Sequence, residues 1–221
     1  MRRTPAQRAL RQLRRVRSYK RYHRRTRRRV PWLQTIAVTA LLPLLSLISR
    51  VRIAGRENIP DGGYIAAANH RSNLDALFVA LAIRRRIRFM GKSELFDGRW
   101  GWLLNRMGAF PVQRGVWDVE AFETAATVLN RGLVMSIFPE GGIHTGRVAA
   151  KSGVGHIAHL AGATVLPVHL DGTRSLYTPW RWPKVRVEIG APLYVEELAQ
   201  PSREQSQRTA QRILDAIYDL A

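Results

Sequence analysis

A histidine and an aspartate five positions apart, His70 and Asp75, lie in the stretch Ala66–Leu77 (AAANHRSNLDAL), where an apolar run gives way to a polar turn and then to a second apolar run. A carboxylate on one imidazole nitrogen fixes the tautomer, steadies the imidazolium and leaves the other nitrogen free to take a proton. Such a pair suits removal of a proton from a hydroxyl as that hydroxyl attacks an acyl carbonyl. With a thioester donor the leaving thiolate is a weak base, its thiol pKa being about 8.5, so one base is enough. The spacing alone equally allows a helix cap, with Asp75 merely stabilising the first turn.

Other chemistries find less material. The chain has no cysteine, which removes disulfides, thiolate metal sites and a cysteine nucleophile. Ser72 is outside any Gly-x-Ser-x-Gly elbow, so direct transfer in a ternary complex is expected rather than an acyl-serine. His156 and His159 are three apart but lack a third ligand, and no metal site is expected there.

The elements that must position His70 and Asp75 follow from periodicity. Short apolar runs alternating with amphipathic stretches describe an α/β body. Strands are predicted at Val51–Ala54, Tyr64–Ala68, Ile87–Met90, Ala109–Val112, Leu133–Phe138, Thr164–Leu170 and Val185–Ile189. His70 then stands at a strand end and Asp75 in the first turn of a helix starting near Asn73. A helix is predicted over Asp118–Asn130, with Val119, Phe122, Ala126 and Leu129 on one face. Another opens at Ser202 with a capping box to Gln205 and carries Ile213, Ile217 and Leu220 on one stripe. The expected fold is a single α/β domain, a mixed central sheet flanked by helices, preceded by a membrane-associated helical segment.

Charge is placed unevenly. The net charge is +20, and residues 1–56 hold 17 of the 36 Lys and Arg with no acidic residue, which leaves the remainder nearly balanced. A balanced body argues against a nucleic-acid-binding domain, so no nucleic acid is expected, while a basic head suits anionic lipid headgroups. The uncharged run of 20 residues from Val30 to Ser49 follows it, about the length a bilayer core requires. The basic region ahead of it is too long for a signal peptide's first part. Both flanks are basic and Pro43 interrupts the run, so a bent hairpin entering and leaving one leaflet competes with a true span. Residues 1–29 therefore read as an Arg-rich head, 30–50 as an apolar helix or hairpin, and 51–221 as the catalytic domain, peripheral or monotopic at the cytoplasmic face of the cell membrane. The run Arg84–Arg88 reads as a solvated or headgroup-facing edge, and Trp32, Trp100, Trp102, Trp180 and Trp182 as interfacial or core aromatics.

NHRSNLD at residues 69–75 resembles the His-x4-Asp signature of the glycerophospholipid acyltransferases. GAFPVQR (Gly108–Arg114), FPEGG (Phe138–Gly142) and VLPV (Val165–Val168) are similar to that family's further motifs, in the same order. GKSEL (Gly91–Leu95) and KSG (Lys151–Gly153) fit between them. The resemblance implies His70 as general base oriented by Asp75, and Arg114 on the acceptor's phosphate, where a guanidinium grips two oxygens at once. It implies Lys92 and Lys151 on that phosphate or on those of coenzyme A, and Glu140 and Gly141 lining the acceptor site. No cofactor is implied beyond acyl-CoA or acyl carrier protein as cosubstrate. The implied acceptor is a lysophospholipid, 1-acylglycerol-3-phosphate by default, giving phosphatidate.

One departure concerns the acceptor. Where the family commonly continues Glu-Gly-Thr-Arg, this chain has Gly142 and Ile143, and Arg147 is the nearest basic replacement. Two other classes stay open on sequence alone: a nucleic-acid- or ribosome-associated basic protein, and a lipid-binding protein without turnover.

Overall fold

Seven strands form one sheet in the order β1-β7-β6-β2-β5-β3-β4. They are β1 Arg50–Ala54, β2 Tyr64–Ala68, β3 Ile87–Lys92, β4 Ala109–Val112, β5 Val134–Ile137, β6 Thr164–Asp171 and β7 Lys184–Ile189. The computed structural model describes residues 19–29, 31–37, 39–40, 49–177 and 184–221. From β6 to β4 every pairing is parallel, while β7 runs antiparallel to β6 and carries β1 parallel to itself. The sheet is therefore mixed, as expected. Its five parallel strands end at one edge, where open α/β sheets place their ligands.

Helices cover both faces. On one side α1 (Asp75–Ile83) buries Phe78, Val79 and Leu81 against Tyr64, Ala66 and Ala68 of β2 and against Leu166 and Val168 of β6. A helix apolar on nearly every side belongs in a core. The short α2 (Gly101–Arg106) precedes β4. On the other side α3 (Val119–Asn130), α4 (Gly153–Leu160) and α5 (Arg203–Tyr218) enclose Phe122, Val128, Ile157, Ile213 and Leu214 with Ile65, Ala67, Met135 and Val165. Buried on both faces, β2 reads as a continuous apolar run rather than an alternation. Emptying a site such as Phe78 or Ile157 costs about 2–5 kcal/mol.

Caps match the sequence closely. Asp118 accepts the N–H of Ala121, and Ser202 and Gln205 form the reciprocal capping box. The buried stripe of α3 differs from expectation. Ala121, Thr124, Ala125 and Val128 join Phe122 and Leu129 inside, whereas Val119 is exposed at the helix entrance. Leu220 falls beyond the end of α5.

Residues 19–28 form a helix docked on the body. The Thr124 hydroxyl accepts from Arg27 Nε at 2.9 Å and meets His23 Nδ1 at 3.0 Å. Burial has lowered the pKa of that imidazole to about 4. Asn105 donates to Thr26 Oγ1 at 2.9 Å, and Tyr22 packs on Phe96. At the helix's C-terminal end, Arg88 donates to the carbonyls of Thr26 and Arg29, and Arg131 to that of Arg27, which complements the helix dipole. Arg88 is thus buried, not part of a solvated edge; Arg85 lies over the Tyr64 ring and only Arg84 and Arg86 are exposed.

Within the apolar run, residues 32–37 and 39–40 are helical. Among the described residues no helix is long and apolar enough to cross a membrane. The remainder of the expected hairpin or span, Pro43 included, and Trp180 and Trp182 lie outside the described residues.

Candidate active site

Four consecutive parallel strands deliver the residues singled out above to one edge. His70 lies two residues past the end of β2, Glu140 three past β5, Lys92 at the end of β3 and Arg114 two past β4. Neighbouring strands are about 4.8 Å apart, so His70 and the β4 end are separated by roughly 15 Å along this edge.

Asp75 is fully buried and accepts four hydrogen bonds. Its Oδ2 takes the N–H groups of Arg71 at 2.6 Å and Ser72 at 2.7 Å and meets His70 Nδ1 at 2.9 Å. Its Oδ1 takes the hydroxyl of Thr173, from the segment after β6, at 2.6 Å. A carboxylate so used has only acceptor capacity to offer, which places the imidazole proton on Nδ1 and the lone pair on Nε2. The His70 side chain keeps 16% of its surface open. Phe138 stacks on the ring, with centroids 4.0 Å apart, and fixes its plane. Asp75 thus does both things the spacing allowed, holding the turn through the Arg71 and Ser72 N–H groups and the imidazole through Nδ1.

Asn69 sets the turn from the other side. Its amide donates to the Leu170 carbonyl at 2.8 Å and accepts the Leu170 N–H at 2.7 Å, extending the β2–β6 ladder with a side chain. Neither Asn69 nor Thr173 was singled out from sequence, since their partners are distant along the chain.

Glu140 is 1% exposed; one oxygen accepts the His70 N–H at 2.8 Å and the other accepts the Tyr218 hydroxyl. It holds the backbone of His70. Tyr218, at the end of α5, also accepts from Arg71 Nη2 at 3.0 Å and lies under the Arg71 and Arg147 guanidiniums. Burial, and then Glu140, push its pKa up to about 12, so the hydroxyl remains a donor at ordinary pH.

The basic residues divide. Lys151 rests on Gly141, where a Cβ would lie 2.9 Å from its Cγ and where φ is +72°, so glycine is required twice over. Arg114 Nη1 lies 4.0 Å from the position of a Cβ on Gly142. Its loop is pinned by Asp118, which accepts the Gln113 N–H at 2.8 Å. Lys92 instead pairs with Glu94 at 3.5 Å, and its ion pair is exposed. Arg147, the nearest basic residue after the third motif, pairs with Asp215.

His156 and His159 have partners of their own. His159 bonds the Glu196 carbonyl and Thr209 Oγ1, each at 2.9 Å, and His156 packs edge-on against Trp117. Among the described residues there is no group of three or more His, Cys, Asp or Glu that could hold a metal ion.

A family model described as Acyltransferase matches residues 50–171, the span that holds His70, Asp75, Lys92, Arg114, Glu140, Gly141 and Lys151. The chain is 30% identical over 179 residues to the 1-acyl-sn-glycerol-3-phosphate acyltransferase of Bacillus subtilis (strain 168), covering 79% of this chain and 90% of that one. It is 32% identical over 158 residues to the enzyme of the same name from Streptococcus pneumoniae, covering 69% of this chain and 58% of the relative. The crystal structure of the 1-acyl-sn-glycerophosphate (LPA) acyltransferase PlsC from Thermotoga maritima superposes with a TM-score of 0.63 at 24% identity, over 84% of this chain and 79% of that one. At that identity the likeness speaks for the fold.

Proposed function

Because this chain belongs to the acyltransferase family, we propose that it moves an acyl chain from a thioester carrier, coenzyme A or acyl carrier protein, to the free hydroxyl of 1-acylglycerol-3-phosphate. The product is phosphatidate. The single observation that carries this reading is the His70–Asp75 pair with Nε2 left free, on the sheet edge that also presents Arg114 and Lys151.

His70 Nε2 takes the proton of the acceptor hydroxyl while its oxygen bonds to the thioester carbonyl carbon. The resulting imidazolium is stabilised by Asp75, whose position four hydrogen bonds have already fixed. Collapse of the tetrahedral intermediate breaks the carbon–sulfur bond, and the departing thiolate takes the proton back. Every proton is returned, and no acyl-enzyme forms.

A membrane surface supplies the acceptor. Trp32, Ile36, Leu95, Trp100 and Trp102 are each at least half exposed, and the Arg99 and Arg106 guanidiniums lie 5.1 Å over the Trp100 and Trp102 rings. Lys20, Arg21, Arg24, Arg27 and Arg28 of the N-terminal helix line a hollow that Glu120 of α3 also borders. Aromatics interleaved with basic side chains suit an anionic bilayer interface, on the cytoplasmic side by the positive-inside rule.

The test is a panel of acceptors with acyl-CoA and acyl carrier protein donors, on anionic and on neutral vesicles. Phosphatidate from 1-acylglycerol-3-phosphate, faster on anionic vesicles, is the expected result. Transfer only to acceptors lacking a phosphate monoester would overturn the choice of acceptor.

A further inference from the structure

Three basic side chains meet at the Gly141–Gly142 corner, Arg114 from the loop after β4 and His144 and Lys151 from the loop after β5. The point that a Cβ on Gly142 would occupy lies 3.4 Å from His144 Nε2 and 4.0 Å from Arg114 Nη1, and Lys151 lies across the adjoining Gly141. A side chain at 142 would therefore stand in contact with one nitrogen of His144 and one of Arg114. None of the described ion pairs engages Arg114 or Lys151, and the nearby Glu140 is buried and committed to His70 and Tyr218. Asp118, on the Arg114 loop, is occupied by the backbone N–H groups of Gln113 and Ala121. A cluster of basic groups without an internal anion is arranged to receive one.

The cluster is tied to the base. His144 donates its backbone N–H to the His70 carbonyl at 3.1 Å, and Arg71, next in the chain, donates to the His144 and Gly146 carbonyls at 2.9 and 3.0 Å. Ile143, which stands where the resemblance leads one to look for an arginine, is exposed and uncharged. Arg147 is held away by Asp215.

We propose that His144 is the second phosphate contact of the acceptor site, its Nε2 and the Arg114 guanidinium gripping one phosphate monoester over Gly142, with Lys151 as a flanking charge. This rests on the acceptor reading above. The acceptor's free hydroxyl and its phosphate sit on neighbouring carbons, and a backbone hydrogen bond joins the loop carrying His144 to the turn carrying His70. His144 then acts on acceptor choice while taking no part in the proton transfer.

Kinetics of the full-length protein on vesicles test the assignment. His144→Ala keeps the backbone bond to His70, and loss of one hydrogen bond to a charged group should raise the KM for 1-acylglycerol-3-phosphate about tenfold. The KM for the acyl donor should stay within about twofold. His144→Arg should recover acceptor affinity, whereas Gly142→Thr, which removes no donor but sets a side chain against both nitrogens, should weaken it as His144→Ala does. Arg114→Ala combined with His144→Ala should cost less than the two effects added, because both act on one phosphate. An unchanged acceptor KM in His144→Ala and Gly142→Thr, from an enzyme that makes phosphatidate, overturns this proposal alone. A wild-type protein that acylates only acceptors without a phosphate monoester overturns the acceptor reading as well.

Discussion

One carboxylate oxygen of Glu140 accepts the backbone N–H of His70 at 2.8 Å, linking the loop that follows β5 to the turn that follows β2. His70 is consequently held from two directions, its ring by Asp75 and its backbone by Glu140. Glu140 is held in turn by Tyr218, so the C-terminal helix reaches the reacting edge through two hydrogen bonds. Tyr218→Phe removes the donor and leaves a buried carboxylate oxygen unpaired. We expect a loss of about 1–3 kcal/mol in stability, measured by denaturant unfolding, together with a fall in kcat and little change in acceptor KM.

Asp75→Asn keeps the size of the side chain but puts an amide where four donors converge. The imidazole loses its fixed tautomer, and the expected fall in turnover is about 10²- to 10⁴-fold. Stopped turnover assays and a thermal melt separate this from unfolding. A variant with near-normal kcat would show that Asp75 serves the turn and not the base.

Asn69→Ala breaks both bonds to Leu170 and strands a buried N–H and C=O. The expected cost is about 2–4 kcal/mol, read by denaturant unfolding. Activity should fall further than in a core variant of equal stability, because the turn carrying His70 loses its tie to β6.

Acidification should loosen the N-terminal helix. His23 is buried and neutral, with its pKa lowered from 6.5 to about 4. Between those values the unfolded chain binds a proton that the folded one refuses, so stability falls as pH drops through that window and is fully present above it. The single-group contribution is on the order of 3 kcal/mol. His156 and His169 are also lowered by burial and act in the same sense, so the measurement is the difference between wild type and His23→Gln. The variant should lose stability less steeply between pH 6.5 and pH 4. Parallel curves would show that the His23–Thr124 contact does not control this docking.

The sheet was legible because each strand is a short apolar run closed by turn residues; β4 begins and ends where the pattern places it, and β3 runs on to Lys92. The His70–Asp75 pair was legible because both partners lie within one turn. Glu140 was visible as a motif residue, but its role depends on partners 70 and 78 positions away, which no local pattern encodes. Tyr218, Thr173 and Asn69 escaped for the same reason. Val119 was misplaced because a helical repeat fits two adjacent faces, and only the packing of α3 on the sheet chooses the one through Ala121 and Ala125. Arg88 was read as surface because a basic run looks solvated until the carbonyls of a neighbouring helix end are brought to it.

The most direct measurement is single-turnover acyl transfer to 1-acylglycerol-3-phosphate by purified His70→Ala, beside wild type, with folding checked by thermal melt and acceptor binding by vesicle-based titration. General-base catalysis predicts that the variant folds and binds acceptor yet forms phosphatidate about 10²- to 10⁴-fold more slowly. Wild-type-like turnover in a folded His70→Ala protein would contradict it.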